Sequence, residues 1–475
     1  MNAIRSALAA LLAAATLATP PTHAQAPAAG KTVAGSWGGV LTGGATRLRL
    51  KLIVQPTGDE LSATFVSVDQ GGASFPATVE VRADSVIVDA GMVGAAYHAV
   101  LSADGDTLTG TWTQGPGSLP LVMVRGADAA MAVSRPQEPR RPFPYREEEV
   151  SYASAAGVRL AGTLTLPAGE GPHPAVLLVT GSGPQDRDET IYSHRPFAVL
   201  ADYLTRRGIA VLRVDDRGMG ESTGSFGAAD SEDFADDALA GVRFLDARRD
   251  IGPVGIIGHS EGGMIAPMVA ARAPEVRFVV LMAGPGIPIR EAMLLQSDRV
   301  LRAYSLPDSL VRRLTQLQGE LYAAMLAEPD SAALEARLRE VGTRFLATLS
   351  PQEQALPGLR SADVSASVRL LVTPWWRWFV RYDPGPALRR VTVPVLALNG
   401  SLDVQVVADE NLAGLRQALS GNPDATVEKL EGLNHLFQTA VTGAPGEYGQ
   451  IEETLAPAVL QRIGDWIVGR VGPRP

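Results

Sequence analysis

The chain contains no cysteine. A disulfide framework and a lipid-anchored cysteine are both excluded. Histidine is scarce, with six residues at positions 23, 98, 173, 194, 259 and 435. The acidic run Asp186, Arg187, Asp188, Glu189 invites a metal site, but it has no companion histidines at ligand spacing. A salt-bridged loop is the expectation there, and no metal is expected. After the first residues no apolar run approaches the roughly 20 positions that a membrane-spanning helix needs, so no integral membrane segment is expected. Positive charge is also lacking, with 42 Lys and Arg against 51 Asp and Glu and a net charge of -9. A phosphate-rich surface would repel such a chain, which argues against nucleic acid or an anionic membrane and for a small neutral or polar substrate.

What is present describes a globular protein. Of 475 residues, 46% are apolar and 20% charged, too apolar for a disordered chain and too long for one ordinary core. The first residues, MNAIRSALAALLAAATLATPPTHAQA, set Arg5 ahead of an apolar run and end in small residues. This is the pattern of a secretory signal peptide over residues 1–26, cleaved near Ala24 or Ala26, and it predicts a periplasmic or secreted protein.

Residues 31–126 alternate polar and apolar positions and are broken by glycine, as in TRLRLKLIVQ and TVEVRADSVIVDAG, with Ser102 to Asp106 as a tight turn. About eight antiparallel strands are expected, forming a small barrel or sandwich. Gly35-Ser36-Trp37 resembles the G-x-W opening of calycin-type barrels, and His98 reads as a strand residue. The stretch SRPQEPRRPFPYREEE, from Ser134 to Glu149, is rich in proline and charge and reads as an interdomain linker, with the boundary near 145 and the linker over 127–146.

From 147 to 475 buried strands alternate with helices: GVRLAGTLTLP as a strand pair, PAVLLVT, IAVLRVD, PVGIIGH, VRFVVLMAG and VPVLALNG. This predicts an α/β domain, a mostly parallel sheet with helices on both faces. Between about 286 and 385 the strands give way to helical text, including TPWWRWFVRYDP. A helical insertion that leaves and re-enters the sheet is expected to cap its C-terminal edge, where such sheets bind ligands.

In VGIIGHSEGGM, the pattern G-x-S-x-G falls where a buried strand gives way to a helix. A sharp turn there projects Ser260 from the sheet edge as a nucleophile. A serine hydroxyl needs a base, itself oriented by a carboxylate, in the order serine, acid, histidine. Only His435 follows Ser260, in LEGLNHLFQ after a strand-like segment, while His259 precedes the serine and is not the base. Asp403, just past the strand ending at Gly400, is preferred as the acid over Asp409 and Asp383. The oxyanion needs two backbone donors. Glu261 is expected to supply one and Ser182 the other, with Gly183 the alternative, from the loop TGSGPQDRDE. That loop lacks the lysine and hydroxyl of a phosphate-binding loop. DDRGMGES, Asp215 to Ser222, reads as a brace for the neighbouring loops. Trp375, Trp376 and Trp378 cannot all face one way on a helix, so Trp375 and Trp376 are candidates to line the substrate cleft.

GHSEGG, TGSGPQDRDE, DDRGMGES, NGSLDVQV and LNHLFQ together resemble the loops of bacterial α/β-hydrolase carboxylesterases, a group related to acyl-peptide-hydrolase-like serine peptidases. The resemblance covers residues 146–472. It implies an α/β-hydrolase fold with an eight-stranded, mostly parallel sheet, ester hydrolysis through an acyl-enzyme, and no cofactor. It carries over Ser260 as nucleophile, Asp403 as acid and His435 as base. Thr180 departs from relatives that have histidine before the glycine. The expected function is a serine carboxylesterase acting on short-chain or small aromatic esters. A peptidase or thioesterase on the same fold, or a non-catalytic binding protein, are the alternatives. About 100 residues of hairpins are too few for the seven blades, of roughly 40 residues each, of a prolyl-oligopeptidase propeller.

Overall fold

A computed structural model describes residues 33–471 except 44, 45, 58, 59, 71, 72, 115, 116, 128–133, 155, 156, 305, 355, 357, 358 and 360. The secretory pattern of residues 1–26 lies outside the described residues. Two units divide the chain: residues 33–136 with 191–194, and residues 137–190 with 195–471.

In the first unit the period-2 text forms eight strands in sequence order: β1 Gly35–Gly43, β2 Thr46–Thr57, β3 Glu60–Ser67, β4 Ala73–Arg82, β5 Ser85–Ala90, β6 Ala95–Leu101, β7 Thr107–Gln114 and β8 Gly117–Arg125. Each pairs antiparallel with the next, and β1 pairs with β8 through Trp37 and Arg125, so the sheet is a closed barrel and not a sandwich. Alternate residues such as Leu48, Leu50, Leu52 and Val54 point inward and are buried. The next positions face out, which is what a side-chain period of two dictates for a filled barrel. The expected turn joins β6 to β7, with Gly105 at φ +82°. Trp37 is fully buried, its indole N–H donates to Val33 O at 2.9 Å, and the Arg125 guanidinium lies 4.1 Å from its ring centre. His98 sits on the outer face of β6.

The second unit is built on an eight-stranded sheet: β9 Arg146–Ala153, β10 Arg159–Leu166, β11 His173–Val179, β12 Ala210–Val214, β13 Ile251–His259, β14 Val276–Met282, β15 Val395–Gly400 and β16 Ala425–Leu430. Their spatial order is β16-β15-β14-β13-β11-β12-β10-β9. Only β10 runs antiparallel to its neighbours. Successive residues feed two cores. Ala175 and Leu177 pack with Ala235, Val242, Leu245 and Ile265 on one face, and Val176 and Leu178 with Phe197, Leu200, Ile463 and Ile467 on the other. The helices on the first face are α2 Ser231–Asp246, α3 Glu261–Ala270 and α11 Ala408–Ala418, and those on the second are α1 Pro196–Arg206 and α12 Pro457–Val471. Between β14 and β15 the chain forms α4 Ile289–Ala303, α5 Asp308–Ala327, α6 Ser331–Leu346, α7 Pro351–Gln354, α8 Ser361–Leu371, α9 Pro374–Phe379 and α10 Gly385–Leu388. These helices hold small apolar cores of their own, one around Leu310 and Leu314 and another around Tyr322, Leu338 and Val368.

Two expectations change. GVRLAGTLTLP contributes one strand, β10, whose antiparallel partner β9 is REEEVSYA, so the end of the supposed linker is the outermost strand of the sheet. The stretch before it is also held by the second unit. Gln137 Oε1 accepts the Thr454 and Leu455 backbone N–H groups, and its amide donates to Leu455 O, while the Tyr145 hydroxyl donates to Asp202. Composition sees no apolar face here, and side-chain bonds to a distant backbone leave no periodic mark.

Candidate active site

The parallel strands end at one edge of the sheet, and the loops after β11, β12, β13, β15 and β16 meet there. Ser260 follows β13 directly and precedes α3, at φ +52° and ψ -113°. A non-glycine residue in that region is strained, and strain of this kind persists where the surroundings over-determine it. The surroundings are glycine-dependent: a Cβ on Gly258 would lie 2.0 Å from Gly262 O, and one on Gly262 would lie 2.1 Å from Val179 O. The Ser260 N–H donates to Met282 O at 2.8 Å, which ties the turn to β14.

The acid and base loops are equally fixed. Asp403 is buried; its Oδ1 accepts the Gln405 and Val406 N–H groups at 2.8 and 2.9 Å, and its Oδ2 meets His435 Nδ1 at 2.8 Å. His435 is 5% exposed, and since a carboxylate only accepts, its Nδ1 carries the proton and Nε2 is the basic nitrogen. Neither His435 Nε2 nor Ser260 Oγ takes a hydrogen-bond partner among the described residues. Asn434 shapes the base loop: its Oδ1 accepts the Leu436 and Gln438 N–H groups, and its amide donates to Gln438 Oε1. The Leu402 N–H donates to Leu433 O at 2.9 Å, which joins the acid loop to the base loop. Asp409 lies in the first turn of α11 and pairs with Lys429, outside this constellation.

The donors expected for an oxyanion flank Ser260. Glu261 is the first residue of α3, where the backbone N–H groups have no partner within the helix. The Gly181 loop approaches from the other side, and a Cβ on Gly181 would lie 3.2 Å from Ser260 Cβ. The Gly181 N–H is already committed to Glu189 Oε1 at 2.6 Å, and the Ser182 amide, next in the loop, takes no partner among the described residues. Gly183 follows at φ +95°. Thr180, in place of the histidine of relatives, donates its hydroxyl to Asp216 Oδ1 at 2.9 Å.

The loop after β12 is a brace. Asp215 accepts the Arg187 N–H and guanidinium, Asp216 Oδ2 accepts the Gln185 N–H, and Arg217 is spent on Asp237 at 2.7 Å. Burial, with the Glu261 and Glu189 carboxylates nearby, pushes the Asp216 carboxyl well above the usual carboxylate range. Asp188 is paired with Arg195 and Arg213. Among the described residues no group of three or more His, Asp or Glu is arranged to hold a metal ion.

The two tryptophans singled out from the sequence part company. The Trp375 indole N–H donates to Glu261 Oε1 at 2.9 Å, and its ring stacks on Phe379 at 4.5 Å, so it stands beside the nucleophile turn. Trp376 turns into the helical insertion and stacks on Tyr322 at 6.3 Å. Two groups beside the site had no local sequence signal. The Glu261 side chain is buried, with Oε1 also accepting the Ser231 hydroxyl at 2.5 Å and Oε2 without a partner among the described residues; burial pushes its carboxyl up to about 7. His259, excluded as the base, lies between Glu189, 2.9 Å from its Nδ1, and His435 O, 3.0 Å from its Nε2.

The sequence signature of the family described as serine aminopeptidase, S33 matches residues 192–337. Esterase EstD of Thermotoga maritima is 29% identical over 313 residues, which are 65% of this chain and 65% of that relative. The chain therefore spans about two thirds of the curated relative's length. Among solved structures the chain is similar to the Pyrococcus furiosus esterase Pf2001, at 15% identity over 71% of this chain and 96% of that one, with a TM-score of 0.42. It is also similar to Est1E from Butyrivibrio proteoclasticus, solved with ferulic acid bound, at 14% identity over 68% of this chain and 100% of that one, with a TM-score of 0.40.

Proposed function

We propose that this chain, an α/β-hydrolase, is a serine carboxylesterase that cleaves short-chain or small aromatic esters through an acyl-enzyme. The observation that carries the reading is the convergence on one sheet edge of Ser260 in its left-handed turn, the buried His435–Asp403 pair and two uncommitted backbone amides. In this reading Ser260 Oγ attacks the ester carbonyl carbon while His435 Nε2 takes the hydroxyl proton. Asp403 holds the imidazole by its Nδ1–H. The Glu261 and Ser182 N–H groups receive the oxyanion, where charge develops in the transition state. Collapse expels the alcohol, which takes its proton from His435. Water then attacks the acyl-serine with the same base and leaves the carboxylic acid and free Ser260. Trp375, beside the turn, forms one wall of the pocket for the ester.

The similarity to Esterase EstD supports the choice of esters. The match to a family described as serine aminopeptidase supports a second reading, in which the same apparatus cleaves a peptide bond. The arginine-led apolar run of residues 1–26 supports export to the periplasm or beyond, which N-terminal sequencing of the protein recovered from each cell fraction would check. The main test is hydrolysis of p-nitrophenyl acetate, butyrate and octanoate beside aminoacyl p-nitroanilides. Turnover of the esters, with a fall of about 10⁴- to 10⁶-fold in Ser260→Ala, is expected. Anilide turnover without ester turnover would move the assignment to the peptidase, and full ester turnover by Ser260→Ala would refute the serine mechanism.

A further inference from the structure

One buried glutamate–histidine contact near Ser260 takes no part in the reaction just described. Glu189 and His259 are 3% and 6% exposed. Glu189 Oε1 accepts the Gly181 N–H at 2.6 Å and meets His259 Nδ1 at 2.9 Å, and His259 Nε2 reaches His435 O at 3.0 Å. Gly181 immediately precedes the proposed oxyanion donor, His259 immediately precedes Ser260, and His435 is the proposed base. A single chain of three hydrogen bonds thus links the Gly181 backbone to the His435 backbone through the His259 side chain.

We propose that Glu189 and His259 act as one positioning unit that holds the oxyanion loop and the base loop in register with Ser260. This rests on the serine hydrolase reading above.

Three features support it. The His435 carbonyl can only accept, and so can an ionised Glu189, so satisfying both contacts calls for an imidazole that donates from both nitrogens. Burial works against that cation, but the adjoining Glu189 carboxylate holds the His259 pKa above its ordinary value. Paired in this way the two charges leave no net charge in the interior, the condition under which a buried ion pair is tolerable. Glu189 itself sits at φ +51°, fixed by its N–H bond to Asp186 O at 2.9 Å. A glutamate in the left-handed region is uncommon, and here it is what turns the carboxylate back toward both Gly181 and His259. Finally, the hydrogen bond from the pair to His435 goes to its carbonyl, whereas the hydrogen bond to the ring comes from Asp403. Removing His259 therefore frees the backbone of the base loop and leaves the His435–Asp403 bond in place.

The experiment uses the full chain and its His259→Leu, His259→Gln and Glu189→Gln variants and the Leu/Gln double variant, with folding checked by circular dichroism. Reaction of Ser260 with a fluorophosphonate reads nucleophile, base and oxyanion donors whatever the natural substrate. Labelling slowed about 10- to 100-fold in His259→Leu is expected, the scale that sub-ångström misplacement produces. Partial recovery in His259→Gln, which keeps one donor, and a double variant no slower than the worse single one are also expected. For the ester, kcat falls while KM stays within about twofold. Folded His259→Leu and Glu189→Gln that label at the wild-type rate with an unchanged kcat overturn the unit. If His259→Leu does not fold, the same two readouts on Glu189→Gln decide. Rapid labelling of the wild type without ester turnover overturns the carboxylesterase assignment alone.

Discussion

Replacing Glu261 by glutamine should stabilise the protein at alkaline pH and not at acid pH. The Glu261 carboxyl is 3% exposed and pushed up to about 7 by burial, whereas a free glutamate titrates near 4.5. Between those values the unfolded chain gives up a proton that the native state keeps. Native stability therefore falls as pH rises through that window, by about 1.4 kcal/mol per pH unit, and levels off above 7 at a deficit of about 3 kcal/mol. Glutamine has no charge to hide, and its Oε1 still accepts the Ser231 hydroxyl and the Trp375 indole N–H; its amide occupies the place of Oε2, which has no partner to lose. Calorimetric melting of wild type and Glu261→Gln at pH 4.5, 6, 7 and 8.5 measures the difference directly. At roughly 2 cal/mol/K per residue of unfolding entropy, 3 kcal/mol in a unit of this length corresponds to a variant melting about 5 °C higher at pH 8.5. The advantage should vanish toward pH 4.5. A melting difference that is the same at all four pH values would sink the idea that this carboxyl is buried against its charge.

Two further outcomes follow from the site geometry. Asp403→Asn keeps the side-chain shape but can offer its amide to His435 Nδ1, which fixes the wrong tautomer; kcat for a p-nitrophenyl ester should drop by about 10⁴-fold with an unchanged circular dichroism spectrum, and a drop under tenfold would remove Asp403 from the role. Gly262→Ala sets a Cβ 2.1 Å from Val179 O, a backbone atom held in the central sheet. Loss of more than about 4 kcal/mol, seen as an insoluble or unfolded second unit, is expected, and an alanine variant melting within 1–2 °C of wild type would contradict it.

How far the sequence discloses this molecule depends on whether a feature is local. The buried strands around Val176, Val211, Ile256, Val280 and Leu396 are continuous apolar runs closed by glycine or polar loops, and the structure has strands at all five. The barrel is legible from alternation alone; its closure is not, because the Trp37–Arg125 pairing joins positions 88 residues apart. His435 could be named because only one histidine follows Ser260, and Asp403 because it stands at the end of a strand. The structure brings those two to 2.8 Å. Glu189 and His259 could not be paired from sequence: they are 70 residues apart, and a lone acid in DRDE looks like any other charge in a polar loop. Trp375 was a cleft candidate only because three neighbouring tryptophans cannot share one helix face, and its partner, the Glu261 side chain, was hidden behind the expectation that Glu261 matters through its backbone. REEEVSYA was misread for a comparable reason, since glutamates on a strand mask the alternation that marks one.

Those glutamates have a further consequence. β9 is the last strand in the order of the sheet, so one of its edges has no neighbouring strand to pair with. An unpaired edge is a template for joining another chain, and proteins discourage that with charge. Glu147, Glu148 and Glu149 run consecutively through it, and Glu428 and Lys429 occupy the strand at the opposite end of the sheet. All three are held by arginines, Glu147 by Arg141, Glu148 by Arg146 and Arg248, and Glu149 by Arg187, so a strand added to this edge would meet a row of ion pairs. A charge-stripped β9, with Glu147, Glu148 and Glu149 changed to threonine, would keep its strand propensity and lose that deterrent. The stretch that reads as a loose connector in the sequence is thus a charged, ion-paired border strand of the sheet.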